Sequence, residues 1–223
     1  MDAPQFDGHL RKNIIKVPAC IRQCSGIVVL GKKIKSILFS TDVAIIRNHN
    51  ADAVIAVYPF TPQPAITHAL LAAADVPIFC GIGGGLTKGE RSVEIALHAE
   101  FQGALGVVLN YPAKNDLIEK IKAKIEIPVI VTVVKPDEDF QARINAGVDF
   151  FNVSGAAATA EIIQKIRSIS PTIGIIATGG RNDEDILKTI EAGANAITYT
   201  PPSTAEIFRG IMEDYRNGKD YKG

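Results

Sequence analysis

Between residues 34 and 201 the chain repeats one pattern eight times: a short apolar run, then a stretch with helical spacing. The runs are IKSILFS (34–40), ADAVIAVYP (51–59), VPIFCG (76–81), ALGVVLNYP (104–112), IPVIVTVV (127–134), VDFFNVSG (148–155), IGIIATGG (173–180) and ANAITYTP (194–201). Each is nearly continuous in β-branched and aromatic residues, the pattern of a parallel strand covered on both faces. Segments such as NDLIEKIKAKI, TAEIIQKIRSI and DEDILKTIEAG carry apolar residues at helical intervals, and STAEIFRGIMEDYR reads as the last helix. Eight consecutive strand–helix units predict an α/β chain folded as a closed, parallel, eight-stranded (β/α)8 barrel rather than an open sheet. Residues 1–223 read as one domain, with an N-terminal extension over 1–33 and barrel units over 34–216. Residues 10–24 are expected to form a short helix capping the barrel's N-terminal end.

A chain of 223 residues, 47% hydrophobic and 22% charged, has enough apolar material for such a core. Lys+Arg and Asp+Glu are both 24, so neither nucleic acid nor an anionic membrane surface is an expected partner. No apolar run approaches the ~20 residues of a membrane span. The opening MDAPQFDGHLRKNIIKVP lacks the apolar core of a signal peptide. Three cysteines, Cys20, Cys24 and Cys80, cannot all pair within one chain, so a cytoplasmic location is expected. Cys20 and Cys24 could share a helix face, but no Cys/His cluster completes a metal site, and the thiols read as small hydrophobes. A homo-oligomer is an open expectation for a barrel this short.

An internal repeat supports the barrel. KPDEDFQARINAGVDFFNVS (135–154) matches RNDEDILKTIEAGANAITYT (181–200) at an offset of 183 − 137 = 46 residues, two strand–helix units. It pairs Thr132 with Thr178, Lys135 with Arg181, Gly147 with Gly193, and Ser154 with Thr200. Strand side chains alternate between lumen and helix layer. In VDFFNVSG the apolar set belongs under helices, which sends Asn152 and Ser154 inward; the repeat then sends Thr198 and Thr200 inward, with Thr132 and Thr178 beside them. The same logic assigns Ser36, Ser40 and Asn110 to the lumen, with Tyr58 and Cys80 as pocket-lining candidates on the second and third runs. The expected upper lumen is therefore hydroxyls and amides without an ionisable group. Ionisable candidates fall on the following loops: Asp42, Lys88, Glu90, Arg91, Lys135, Asp137 and Arg181.

Two glycine-rich segments stand at strand ends. ATGGRNDED (177–185) follows the seventh run, and TPPSTAEIF (200–208) opens the last helix. Glycine lets backbone approach a ligand, and a helix N-terminus offers amides and a positive dipole to an anion. Asn182 or Asp183 is placed to cap the seventh helix, and Ser203 or Thr204 the eighth. CGIGGGLTKGERS (80–92) is neither a P-loop nor a dinucleotide fingerprint. It reads as a mobile active-site loop laying Gly83 and Gly84 against a ligand and bringing Lys88 and Arg91 in. The proline-rich PFTPQP (59–64) is placed to wall the same pocket.

The motifs IPVIVTV, NAGVDFFNVSGA, IIATGGRNDEDILKTIEAGANAI and the loop after the eighth run resemble the C-terminal half of phosphate-binding (β/α)8, or TIM, barrels. That superfamily includes inosine monophosphate dehydrogenase-like and nitronate monooxygenase-like flavin barrels, amino-sugar phosphate epimerases and keto-deoxy-phosphogluconate aldolases. The resemblance covers about 127–208. It implies a phosphate held by Gly179, Gly180, Arg181, Thr200, Ser203 and Thr204, with Ser154 and Gly155 near. Two departures stand out: Pro201 and Pro202 remove amide donors where relatives carry Gly-Ser or Gly-Thr, and Asn152 and Ser154 replace the aldolase lysine.

Three functions fit. The first is an enzyme of lyase, isomerase or epimerase type on a small phosphorylated or anionic metabolite, with Lys135 or Lys88 as the amine and Asp42 or Asp137 as carboxylate. The second is a small-molecule hydrolase using Ser154, Cys80 or a bound water. Its difficulty is that His9, His49, His68 and His98 fall in the N-terminal segment or on helices. The third is a non-catalytic metabolite-binding or regulatory barrel, with a flavin mononucleotide (FMN) binder as a variant whose cofactor would supply the chemistry. No cofactor is predicted outright.

Overall fold

The structure, a computed structural model, describes Pro4, Phe6, Gly8, residues 13–180 and residues 182–219; Arg181 and His9 lie outside them. All eight apolar runs contribute a parallel strand. After an N-terminal hairpin of β1 (Ile27–Val29) and β2 (Lys32–Ile34) come β3 (Ser36–Phe39), β4 (Ala53–Ala56), β5 (Ile78–Gly84), β6 (Gly106–Asn110), β7 (Val129–Val133), β8 (Phe150–Val153), β9 (Gly174–Thr178) and β10 (Ala196–Tyr199). Strands β3 to β10 pair in sequence order, and β10 closes on β3, so the chain is a (β/α)8 barrel. Each strand is followed by a helix: α1 (Val43–Ile46), α2 (Pro64–Ala73), α3 (Glu90–Phe101), α4 (Asn115–Lys122), α5 (Phe140–Asn145), α6 (Thr159–Ile169), α7 (Asp183–Glu191) and α8 (Thr204–Arg216).

The N-terminal extension differs from expectation. Among its described residues only Ala19–Gln23 is helical, as a short 3-10 segment, and a β-hairpin follows it. The hairpin turns at Leu30–Gly31, both at positive φ, the geometry that matches strand twist. Its alternation explains its use. Ile27, Val29 and Ile34 are buried while Val28, Lys32 and Lys33 are exposed. The three buried side chains join Ile37, Ala53, Ile55, Phe79, Val108, Ile130, Ile176 and Ala196 in one cluster that fills the lower lumen. The opposite faces of the strands, including Leu38, Val54, Leu109, Val131, Phe151 and Ile197, pack under helix residues such as Leu70, Val93, Ile118, Ile163 and Ile186.

The 46-residue repeat has a structural basis. Asp149, just ahead of β8, accepts from the Val129 amide of β7 at 2.8 Å. Forty-six residues on, Asn195 ahead of β10 accepts from the Ile175 amide of β9, also at 2.8 Å. Each helix-ending glycine before them, Gly147 and Gly193, sits at positive φ with a cationic stem against it, Lys122 and Arg167 respectively. Lys122 also pairs with Asp149 at 2.7 Å, and Arg167 donates to Asn195 at 2.5 Å. Asp52 does the same work ahead of β4, accepting from the Lys35 and Ser36 amides and the Ser36 hydroxyl, each at 2.9 Å. Burial opposes its ionisation, but these donors and Arg22 outweigh it and hold its pKa low.

The glycine segment after the third run is not a free loop as far as Gly84. It continues β5, with every residue from Ile78 to Gly84 buried. A bulge between Gly81 and Gly83 shifts the pairing with β6 so that Gly84 opposes Asn110. Gly84 has φ +97°, and a Cβ there would lie 1.9 Å from the Asn110 carbonyl oxygen. Gly84→Ala is therefore expected to destabilise the barrel by about 3 kcal/mol, from positive-φ strain and displaced β6 backbone together. Urea unfolding against the wild type measures this; a loss of only a few tenths would show that the bulge relaxes freely.

Candidate functional site

Above the apolar plug the lumen turns polar. Alternation brings Asn110 (β6), Thr132 (β7), Asn152 (β8) and Thr178 (β9) to the inside, with Ser154 just past β8. Asn152 Nδ2 donates to Thr132 Oγ1 at 3.1 Å, and Thr132 Oγ1 donates to Asn110 Oδ1 at 3.5 Å. Thr178 Oγ1 donates to Ser154 Oγ at 3.4 Å. On β10 the Thr198 hydroxyl is buried with no hydrogen-bond partner among the described residues, and Thr200 is exposed at the rim. A buried unpaired hydroxyl costs free energy, so this one is available to a ligand or water.

The inward assignments on the other half of the barrel are corrected. Ile37 and Phe39 have the inward parity of β3; Ser36 and Ser40 share the opposite parity with Leu38, and Ser36 instead serves Asp52. Cys80 lies with Ile78 and Ile82 in the helix-side core, and burial pushes its thiol up to about 12. Tyr58 has the outward parity of Val54 and Ala56, but it lies past the end of β4 and its hydroxyl accepts from the Gln63 amide at 2.9 Å. Polarity alone does not mark the lumen here: the serines serve Asp52 and the Asp42 amide, and the cysteine packs in the helix-side core.

The mouth carries two depressions. One, of about 230 Å³, lies over β4 to β6, between Tyr58 and Phe60 of one loop and Gly83, Gly84 and Leu86 of the next, with Asn110 at its edge. The other, of about 650 Å³, lies between β8 and β9 and is lined by Ser154, Ala156, Ala157, Thr178, Gly180, Asp185 and Lys188. In this second cleft a 3-10 turn, Ala156–Ala158, runs directly into α6, and no side chain caps either start. The amides of Ala156 and Ala157 have no acceptor among the described residues, while the Gly155 amide donates to Thr159 Oγ1 at 3.2 Å. Lys188 has no ion-pair partner among the described residues.

The corner at β9 and β10 is different. Asn182 caps α7 by accepting from the Asp185 amide at 2.9 Å, and Asp183, Glu184 and Asp185 fill the first turn. Gly179 is buried against Ile186 and Ile197, its amide donating to the Thr198 carbonyl at 3.3 Å. Ser203 caps α8 in a capping box: Glu206 accepts from both the Ser203 amide and hydroxyl at 2.7 Å. Thr204 donates to Asp42. Carboxylates thus occupy the helix starts that the sequence offered to phosphate, where they already satisfy the dipole.

The three expected catalytic side chains do not converge. Asp42 is the N-cap of α1, accepting from the Ala44 and Ile45 amides as well as Thr204. Lys88 lines a separate depression beside Pro112, Lys114 and Lys120. Lys135 is exposed beyond β7, its amide 3.4 Å from Glu138 Oε1. Glu138 and Arg143, which the sequence reading did not single out, form a largely buried pair at 3.3 Å. Glu138 accepts from the Val134 amide at 3.0 Å and Arg143 donates to the Ala113 carbonyl and to Asn115, so the loop after β7 is fastened to the one after β6. An ion pair between one of several acids in a charged loop and an arginine on the following helix carries no sequence motif. Among the described residues no three His, Cys, Asp or Glu side chains gather to hold a metal ion, and no helix is long and apolar enough to cross a membrane.

No family model matches the chain, and no curated protein matches its sequence. Solved structures do match in fold. A candidate phosphonomutase of Burkholderia cenocepacia J2315 superposes with a TM-score of 0.62 at 15% identity, over 82% of this chain and 92% of that one. An aldolase, QR15, gives 0.56 at 22% identity over 80% and 95%. A mandelate oxidase solved with benzoyl-formic acid gives 0.64 at 14% identity over 79% and 68%. At these identities the likeness is one of fold.

The Asp42–Thr204 contact ties the first barrel unit to the last. The Thr204 hydroxyl holds the Asp42 pKa below the usual carboxylate range; burial opposes this and the two amides of α1 add to it. A carboxylate depressed in the folded state stabilises above its unfolded pKa, near ~3.9, and loses that contribution as pH falls through the lower folded value. Asp42→Ala should cost about 1–2 kcal/mol at pH 7, the range for a lost N-cap. The gap between variant and wild type should close in denaturation series taken from pH 5 down to 2.

Proposed function

We propose that the protein is an enzyme acting on a small anionic metabolite, phosphorylated or carboxylated, whose anionic group sits between the ends of β8 and β9. The observation that carries this reading is the cleft itself. Uncapped Ala156 and Ala157 amides, the Ser154–Thr178 hydroxyl pair and Lys188 border one space at the C-terminal mouth. An anion there gains charge-assisted hydrogen bonds and the N-terminal dipole of α6. The neighbouring corner would meet it with Asp42 and Glu206, whereas in the cleft the Asp185 carboxylate stands with the Lys188 ammonium. The subsite implied by the resemblance is thereby moved one unit back along the barrel, keeping Ser154 and Gly180 from that set and adding Thr178.

The remainder of the ligand would extend over the polar lumen, where Asn110, Thr132, Asn152 and Thr198 offer neutral donors and acceptors. Neutral groups of this kind orient a substrate or stabilise a developing oxyanion. Asp185 and Lys188, one helical turn apart on α7, bring an acid and a base to the same cleft. That set suits proton transfer, as in a lyase, isomerase or epimerase, better than hydrolysis by a serine or cysteine nucleophile. Ser154 has no histidine at the mouth among the described residues: His49 precedes β4 at the opposite end, and His68 and His98 are exposed on α2 and α3. Cys80 faces away with a raised pKa. The activities of the fold neighbours, a phosphonomutase, an aldolase and a phosphonopyruvate hydrolase crystallised with oxalate, are compatible with a small anionic substrate.

FMN accompanies one of the mandelate oxidase structures as an adduct. A flavin phosphate at the β9–β10 corner would face the Asp42 and Glu206 carboxylates, so those residues do not fit it there.

Titration calorimetry with inorganic phosphate tests the subsite. Lys188→Ala should weaken binding about tenfold, the scale of one charged hydrogen bond, while Ser203→Ala should leave affinity unchanged. The reverse pattern would return the anion to the start of α8, and undetectable phosphate binding by the wild type at millimolar concentration would remove the reading.

A further inference from the structure

α8 runs for 13 residues and contains no buried residue, although it carries several large apolar side chains. Its neighbour in the ring, α1, is a single turn of four residues, so the flank between them is thinly covered. Ile207 and Ile211 turn toward that flank and line a groove with Ile15 and Tyr199. Phe208 borders the same groove yet stands 61% exposed, and Met212 and Tyr215, outside its lining, stand 44% and 52% exposed. At 3.6 residues per turn these three share one strip of the helix, and Glu206, Arg209, Glu213 and Arg216 form a row along its edge. A lone 13-residue helix is marginal in water, and an apolar strip of this size is normally covered.

We propose that this strip is the docking surface for a second copy of the chain, α8 against α8 and antiparallel about a two-fold axis passing near Ile211. The charge row selects that partner and that direction. In an antiparallel pair centred on Ile211, positions equally distant on either side come level. Arg209 then meets the partner's Glu213, and Glu206 meets the partner's Arg216. The two-fold axis repeats both contacts, as an isologous interface requires. A parallel pair in register would instead set Arg209 beside Arg209 and Glu213 beside Glu213. The interface lies on the barrel flank and is independent of the ligand assigned above.

Sedimentation equilibrium of the full chain at micromolar to tens of micromolar concentration reads the outcome. The wild type should be a dimer. Arg209→Glu and Glu213→Arg should each weaken it at least tenfold, because each sets like charges together twice. Arg209 and Glu213 are also four apart within one helix, so either variant could act by weakening α8 itself. Mixing the two variants separates these effects: the acid at 209 of one chain then faces the base at 213 of the other, while neither helix regains its internal pair. Restored dimers in the equimolar mixture support the antiparallel register. A monomeric wild type, a dimer indifferent to both substitutions, or a mixture no tighter than its components would overturn the proposal.

Discussion

Everything at the mouth of this barrel rests on the apolar filling of its lower half. Eight short parallel strands enclose a space that must be packed, since a void there forfeits dispersion and burial on every side. The strands supply part of the filling, with Phe79 the largest of the inward side chains, and the N-terminal hairpin inserts Ile27, Val29 and Ile34 from below. With the floor closed by hydrocarbon, the polar side chains are left for the upper lumen. There they bond to one another or, as with Thr198, remain open. Site and scaffold are two layers of one alternating pattern.

The electrostatics of the strand ends then decide where an anion can sit. Helix starts are interchangeable in principle, because each offers amides and a positive dipole. In this chain α1, α7 and α8 begin with their own carboxylates or side-chain caps, whereas α6 begins with three alanines and a threonine. Local capping, which stabilises a helix by about 1 kcal/mol, also withdraws that helix from ligand binding. The phosphate corner implied by resemblance is thus the place where this chain departs from it: Pro201 and Pro202 remove donors, and Asp42 and Glu206 add charge.

Much of the barrel was legible in the residues, for identifiable reasons. Continuous apolar runs mark strands buried on both faces, and Asp149, Gly147, Asn195 and Gly193 mark the same joint in two successive pairs of units. Lumen parity was legible where an apolar and a polar set alternate cleanly, as in VDFFNVSG, and it failed where they do not. SILFS offers serines on one parity, and the chain uses Ser36 against Asp52 and Ser40 to accept from the Asp42 amide. IFCGIGG offers only a cysteine, which the structure assigns to the helix side. The hairpin over 27–34 was missed because its buried residues sit in a short, lysine-rich stretch whose alternation spans too few positions to separate it from a loop.

Sequence alone determined the architecture, because strand and helix periods and helix-ending glycines are properties of neighbouring residues. It also determined that the lumen would lack charge, since no ionisable residue falls on an inward strand position. Only the tertiary structure decided which helix starts remain open, that the catalytic candidates Lys135, Lys88 and Asp42 stand apart, and that α8 shows an apolar strip to solvent. Those outcomes depend on contacts between residues far apart in the chain. Thr204 on Asp42 is separated by 162 positions, and no local pattern encodes which distant group will satisfy a given carboxylate or amide.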